Sequence, residues 1–267
     1  MEGDKMKKRA EYKKKAKAVL GGNYGILILA FFLLSVIVNI PMTVMQFFMT
    51  RGFFHHFSFL SRNPEGFRSF FRKISVPNSL IWILVYIVVL IITAILSAGL
   101  IKMEMRLCDS GRADLGDLFR VFIKRPFRFV LYGLLWMGFV LILMIPGSIL
   151  LIVGILSDIP FVMALSAPLF LLACLFVLIL RLVYAFTVPI LLDSPNAGTI
   201  EAMRQSRKMM HGYKWKLFVL HLSFIGMDFL ILLSWGIASL WVYPYRMCTC
   251  LYWYRDLSAK TLPNTGE

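Results

Sequence analysis

Four ionisable side chains interrupt apolar runs long enough to cross a membrane: Arg181, His221, Asp228 and Arg246. Placing a charge in the middle of a bilayer costs about 2.5–3.5 kcal/mol on insertion scales, so such residues are candidates for an ion, proton or substrate pathway. His221 and Asp228 are seven positions apart, so one continuous helix would carry both on one face, about 10 Å apart. That distance is too long for a hydrogen bond but suits two groups along one polar path.

Each of these residues also has a structural explanation. Arg181 falls near the end of its apolar run, where its side chain can reach the lipid headgroups. Arg246 follows Pro244, and a helix break there would place the arginine at an interface. Asp228 and Arg246 can also pair between two neighbouring helices. We favour this ion pair, or a position at the outer interface, over a polar path.

The remaining reactive residues do not form a recognisable catalytic or metal site. Asp193, beside a proline turn, is typical of a cap or hinge. His55 and His56 have no carboxylate or cysteine at ligand spacing, and Cys248 and Cys250 lack the two-residue spacer of zinc knuckles. The sequence shows no nucleophile–base pair and no glycine-rich phosphate loop. We therefore predict no enzymatic activity, no cofactor and no metal.

The elements that carry these residues are long apolar segments. Of 267 residues, 59% are hydrophobic and 16% are charged, whereas soluble domains are about 45–50% apolar and about 25% charged. Since about 20 apolar residues cross the ~30 Å hydrocarbon core, the sequence predicts an all-α, polytopic transmembrane helical bundle of about six spans. The predicted spans are 24–48, 80–101, 129–153, 161–182, 217–234 and 237–254. A basic segment, 1–22, precedes this single transmembrane domain (23–257), and a polar tail, 258–267, follows it.

The last two spans come from one apolar run, Leu217 to Tyr254, which breaks near Ser234 and Gly236. Small residues on both sides of the break predict close helix packing, which would serve the hairpin itself or a homo-oligomer. They are Ser223, Gly226, Ser234, Gly236 and Ala238. Pro244 weakens the sixth span. A five-span arrangement, with 245–257 lying at an interface, therefore stays open.

Charge predicts the orientation. The net charge is +15, and the basic residues flank apolar segments. Segments that an inward N-terminus would place in the cytoplasm hold 22 Lys and Arg, against 5 in the predicted outer loops, as the positive-inside rule requires. We predict that both termini are cytoplasmic, that the partners are the lipid bilayer and anionic phospholipid headgroups, and that nucleic acid is not a partner.

Two short cytoplasmic helices are predicted between the spans. In 115–124, Leu115, Leu118, Phe119 and Phe122 recur at helical spacing, and Asp114 is a suitable N-cap. We predict an amphipathic interfacial helix there; a helix packed on the cytoplasmic face of the bundle is the alternative. A second helix, 199–210, ends before Gly212.

The stretch 193–257 contains a set of motif residues: Asp193, Pro195, Ser206, Gly212, Ser223, Gly226, Gly236, Pro244 and Tyr245. With these residues it resembles a bacterial integral-membrane family known as domain of unknown function 975. Earlier matches, among them Gly21-Gly22-Asn23-Tyr24, extend the resemblance over nearly the whole chain. It implies a multi-pass protein of the bacterial plasma membrane. It supplies no activity, so these residues are assigned to turns and packing.

Together these features predict a non-enzymatic membrane protein that contacts anionic lipid or a protein partner through basic cytoplasmic helices. The alternative is a transporter of a small solute or lipid, or a transporter subunit, using the polar residues of helices 4–6. A mid-membrane cavity lined by Asp228, His221 or Arg181 would favour the transporter.

Overall fold

A computed structural model describes residues 9–60, 76–123, 125–157 and 159–261. These residues are helical with short connections and contain no strand, which confirms the predicted all-α class. The helices are α1 (Arg9–Leu20), α2 (Tyr24–Leu60), α3 (Val76–Ser110), α4 (Gly116–Ile123), α5 (Phe127–Ser157), α6 (Pro160–Val183), α7 (Thr187–Asp193), α8 (Thr199–Met209), α9 (Lys214–Leu222), α10 (Ile225–Leu233) and α11 (Ser239–Thr261). The side chains of His55 and His56 and the end of the polar tail lie outside the described residues.

Four stretches of the described chain are long and apolar enough to cross a membrane: Tyr24–Val44, Leu84–Ser110, Phe127–Ser157 and Pro160–Asp193. The consecutive helices α9 and α10 count as a fifth only if taken together, because a bend of 40° separates them. The predicted sixth span, 237–254, is not among these candidates. The structure therefore supports four to five spans, and the predicted number of six is not confirmed.

The outside of the four long helices is covered with apolar side chains. Ile142, Leu156, Phe161 and Leu171 are each more than 60% exposed. Helices that are apolar all round belong in a large core or a membrane, and this chain has no further layer around them in its described residues. These surfaces fit a membrane-embedded protein.

Buried side chains concentrate at one end of the bundle, where α1, α4, α7, α8 and the C-terminal half of α11 cover the ends of the long helices. We call this end of the bundle, which carries the Lys and Arg residues of α1, α4 and α8, the basic end. Helix α1 buries Tyr12, Ala16 and Leu20 against α3 and α11. Helix α4 crosses α3 so closely that a Cβ on Gly99 would lie 2.3 Å from the Leu118 carbonyl oxygen. Only glycine permits that approach.

The predicted fifth span is not one continuous helix. Helix α9 ends at Leu222 and α10 begins at Ile225, so the seven-residue rule that placed His221 and Asp228 on one face does not apply. The predicted close packing at the last hairpin is also wrong. A Cβ at Gly226 or Gly236 would meet no atom within 4 Å, and α10 has no buried residue. Gly236 instead provides the turn, with φ of +90°.

Candidate functional site

A cleft at the basic end brings together charges from α3 and α4. It encloses about 490 Å³ and is lined by Lys102, Arg106, Asp117, Arg120 and Ile123. Asp117 is buried, and its two carboxylate oxygens accept hydrogen bonds from Arg106 Nη1 at 2.8 Å and Arg120 Nη1 at 3.0 Å. The two arginine side chains are nonetheless 45% and 54% exposed. One buried carboxylate thus fixes two guanidinium groups whose outer faces stay open to a ligand.

The loop before α4 fixes the cleft. Asp114 Oδ1 accepts a hydrogen bond from the Gly116 backbone N–H at 2.9 Å, which agrees with the predicted capping role. This hydrogen bond lowers the pKa of Asp114, and the charges of Arg120 and Arg106 act in the same direction. Asp114 is therefore ionised at neutral pH, and Arg106 Nη1 lies 3.3 Å from its Oδ2.

Helix α4 has both a buried and an exposed apolar side. Leu118 and Val121 are buried against the bundle, whereas Phe119 is 55% and Ile123 83% exposed. One side of α4 packs on the bundle, as the second alternative of the sequence analysis predicts, and the other side remains open. Contact of α4 with a membrane interface stays a prediction. Exposed apolar side chains lie directly beside the cationic cleft.

Asp193, one of the residues that carry the family resemblance, makes a second set of contacts. Its Oδ2 accepts hydrogen bonds from the Tyr254 hydroxyl and from Arg255 Nη1, both at 2.8 Å. Arg255 also donates to both oxygens of Asp109, from Nη2 at 2.5 Å and from Nε at 3.2 Å. The Asp193 side chain therefore bonds to residues of α11 rather than to the backbone groups of a helix end. It joins α7 to α11, and Arg255 extends the connection to α3.

The loop that follows Asp193 is held by the start of α5. Arg128 Nη1 donates to the carbonyl oxygens of Ser194, at 3.3 Å, and Ala197, at 3.0 Å. Arg125 Nη1 reaches the Pro195 carbonyl oxygen at 3.4 Å. The basic residues around the start of α5 thus bind backbone carbonyls of this loop, which is a structural role.

Ser206 joins the two parts of a broken helix. It is fully buried in α8, and its Oγ donates to the Val183 carbonyl at 3.0 Å and accepts from the Phe186 N–H at 3.4 Å. These groups belong to the break between α6 and α7, where helix ends leave backbone groups without partners. One hydroxyl therefore satisfies both sides of the break.

Three of the four ionisable candidates of the sequence analysis lie at the break between α9 and α10: His221 precedes it, Asp228 follows it, and Arg246 contacts Asp228. The predicted ion pair is confirmed, since Arg246 Nη2 contacts Asp228 Oδ1. His221 interacts electrostatically with Arg246, Arg181 and Asp228. Arg181 is exposed two residues before the end of α6. The cleft at α3 and α4 contains none of these four residues.

Phe224, at this break, lies between two cations. Arg246 Cζ lies 5.4 Å from the ring centroid and Lys13 Nζ 4.2 Å. Lys13 Nζ also donates to the Ser223 carbonyl at 2.9 Å, so α1 supplies the partner that the break requires. Burial and the nearby charge of Arg9 lower the pKa of Lys13.

Sequence reasoning did not find the cleft or the Arg255 contacts. Arg255 and Asp109 are 146 positions apart, and no local pattern indicates such a pair. In the sequence, Arg106 and Arg120 contribute only to the charge asymmetry that predicts the orientation. The helical spacing of the apolar residues in 115–124 indicates α4, but it does not indicate that Asp117 binds Arg106 of α3.

No curated protein and no solved structure matches the chain. A family model described as "Protein of unknown function (DUF975)" matches residues 6–261. This match covers the matching residues discussed above, together with α1 and the residues of the basic cleft. The chain therefore belongs to the family described as protein of unknown function (DUF975).

Proposed function

We propose that this chain is a non-enzymatic, multi-pass protein of a bacterial plasma membrane, which binds anionic phospholipid headgroups at its basic end. The cleft between α3 and α4 is the observation that carries the proposal. Lys102, Arg106 and Arg120 face two carboxylates, Asp117 in the lining and Asp114 beside it, so one positive charge remains in excess. Ile123 is exposed at the edge of the cleft, where its side chain would contact the acyl chains of the bound lipid.

The proposed orientation places the basic end in the cytoplasm. The excess of Lys and Arg at this end supports it, and so does the negative potential of the cytoplasmic leaflet. Amphipathic contact by α4 and α8 belongs to the same proposal. An even number of crossings then leaves both termini in the cytoplasm.

Native mass spectrometry of the purified protein tests headgroup binding. We expect more bound phosphatidylglycerol than phosphatidylcholine at equal concentrations, and we expect Lys102→Gln/Arg120→Gln to remove this preference. Each surface cation contributes about 1 kcal/mol to binding an anionic membrane, so two substitutions weaken binding about 30-fold. Arg106 stays in place to neutralise the buried Asp117.

The matched control is Arg204→Gln/Lys208→Gln on α8, which removes the same charge without changing the cleft. We expect this variant to keep the preference for phosphatidylglycerol. Equal lipid retention in the two double variants would refute a specific cleft, and equal retention of the two lipids by the unchanged protein would refute the function.

A transporter is the second candidate, because His221, Asp228 and Arg246 lie together at one helix break. Proteoliposomes with a trapped pH dye test whether these residues form a proton path. A transporter of this kind would dissipate a pH gradient faster than empty vesicles, and Asp228→Asn would slow it. Identical rates with and without the protein would reject proton-coupled transport.

A further inference from the structure

The surface that the basic cleft does not explain is the hairpin formed by α10, the turn Ser234–Ala238 and the start of α11. Its side chains are apolar and uncovered: Phe229 is 67%, Leu232 75%, Leu233 70% and Trp235 96% exposed. No charged residue occurs between Phe229 and Tyr243. Such a surface needs an apolar environment. The depth of the hairpin in the membrane decides what that environment is.

The first measure of depth comes from α3. The Tyr252 hydroxyl donates to the Cys108 carbonyl at 3.3 Å, so this part of α11 lies level with the end of α3. Ser239 precedes Tyr252 by 13 residues, or about 20 Å of helix. On α3, Lys102 is the last charged residue before the apolar segment, about 9 Å from Cys108. About 10 Å of α11 therefore extends beyond the charged boundary.

The second measure comes from α2, which starts at the basic end. Asn23 Nδ2 donates to the Gly111 carbonyl at 3.1 Å, and α2 begins at the next residue. Phe31 lies about 10 Å further along α2, and its ring stacks on Tyr243 with 5.1 Å between centroids. Four more residues, about 6 Å, lead to the start of α11 at Ser239.

The first measure places the start of α11 about 10 Å above the level of Lys102, and the second places it about 16 Å above the start of α2. Both leave the turn inside the ~30 Å hydrocarbon core and well short of its far side. The other arm agrees with this depth. Helix α10 has 9 residues, or about 13 Å. Its base is fixed at the level of Tyr245, whose ring lies 5.6 Å from that of Phe224. Neither arm reaches the opposite side.

The turn itself is built for an environment without water. The N–H of Trp235 bonds to Leu232 O at 3.2 Å, that of Gly236 to Ile231 O at 2.8 Å and that of Ile237 to Ser234 O at 3.1 Å. Ser234 Oγ accepts from the Ala238 N–H at 2.9 Å and donates to the Ile231 carbonyl at 3.1 Å. Backbone groups in hydrocarbon must find partners within the protein, and the N–H groups of residues 234–238 do so.

We infer that residues 225–243 form a re-entrant hairpin, which enters the membrane from the basic end, turns near the bilayer centre and returns to the same side. Its partner is the acyl-chain layer of one leaflet, which surrounds its exposed side chains. The charged residues Asp228, Arg246 and Lys13 lie at its base, beside the headgroups. The described residues then cross the membrane four times. Which leaflet it enters rests on the proposed orientation, whereas its depth does not.

Depth-dependent quenching in reconstituted vesicles tests the hairpin. Bimane is attached to Trp235→Cys in a Cys174→Ala background, because Cys174 is the native cysteine exposed on the bundle surface. The same label at Ile159→Cys, in the turn between α5 and α6, is the control. Vesicles contain lipids brominated either near the acyl-chain end or near the glycerol.

We expect the ratio of deep to shallow quenching to exceed one at position 235 and to stay below one at position 159. A ratio below one at both positions would place Trp235 at the opposite surface, as in the six-span arrangement, and would overturn the inference. Weak quenching at both depths together with a doubled particle mass would show a second copy of the chain on the hairpin, and would also overturn it. Leu232→Cys provides the same measurement if Trp235→Cys does not fold.

A separate labelling experiment distinguishes the orientation from the hairpin. Lys17→Cys is exposed on α1. If a membrane-impermeant maleimide labels it in intact cells, the proposed cytoplasmic basic end is wrong. The quenching ratio at position 235 is unaffected by that result.

Discussion

Replacing Ser206 by alanine tests the role of this serine in joining α6 to α7. The substitution removes both partners of the break, the acceptor for Phe186 N–H and the donor to Val183 O. Leaving a buried polar group without a partner costs about 1–3 kcal/mol. The bond to Phe186 is long, so we expect a total loss of about 2–3 kcal/mol. For a chain of this size, that corresponds to a decrease in Tm of about 4–10 °C.

Ser223→Ala is the matched control for this prediction. Ser223 is also one of the family-matching serines, but it is exposed, and its Oγ bonds only to Leu220 O, three residues earlier in the same segment. We expect Ser223→Ala to change stability by less than about 0.5 kcal/mol. Thermal unfolding of both variants in the same detergent, followed by the loss of monodisperse protein, provides the comparison. Equal decreases in Tm would refute the assigned role of Ser206.

Two further substitutions test the packing. Gly99→Ala is expected to destabilise the protein by about 1–3 kcal/mol, because its Cβ meets the Leu118 carbonyl. The control is Gly138→Ala, whose Cβ would have no atom within 4 Å, and it is expected to be neutral or stabilising by up to about 1 kcal/mol. Equal Tm values for the two variants would contradict the close crossing of α3 and α4. At the base of the hairpin, Asp228→Leu/Arg246→Met is expected to unfold at a higher temperature than either single variant, since a single substitution leaves an unpaired charge. If the change in Tm of the double variant equals the sum of the changes in the two single variants, the two side chains do not stabilise each other.

Local sequence patterns predicted the elements of this fold better than their arrangement. The spacing of apolar residues in 115–124 indicated α4, and the Gly212 and Ser234–Gly236 breaks were visible as small residues in long runs. The pairing of Asp228 with Arg246 could be predicted because both residues belong to one hairpin. In contrast, the partners of Asp193 lie 61 and 62 positions away, where no local pattern records them.

The meaning of the glycines also depended on the tertiary structure. Gly226 and Gly236 looked like packing residues because small side chains on adjacent helices often mark close approach. The close approaches occur elsewhere, at Gly99 and at Gly154, where a Cβ would lie 2.7 Å from Met163 atoms. A glycine that fits a crossing helix and a glycine that permits a positive φ have the same sequence signal.

The number of spans is the property for which one sequence signal most clearly has two structural meanings. Hydropathy measures how apolar a segment is, and both a membrane crossing and a hairpin that stops at the bilayer centre must be apolar. The two differ in what happens at the turn. A turn in water can leave its N–H groups to the solvent and can contain a charged residue. The predicted outer turn at 157–160, for example, contains Asp158. A turn in hydrocarbon must bond its own N–H groups and exclude charge, as the Ser234 turn does. Ser234 is therefore the informative residue of the hairpin, because its hydroxyl supplies a partner that an aqueous turn would not need.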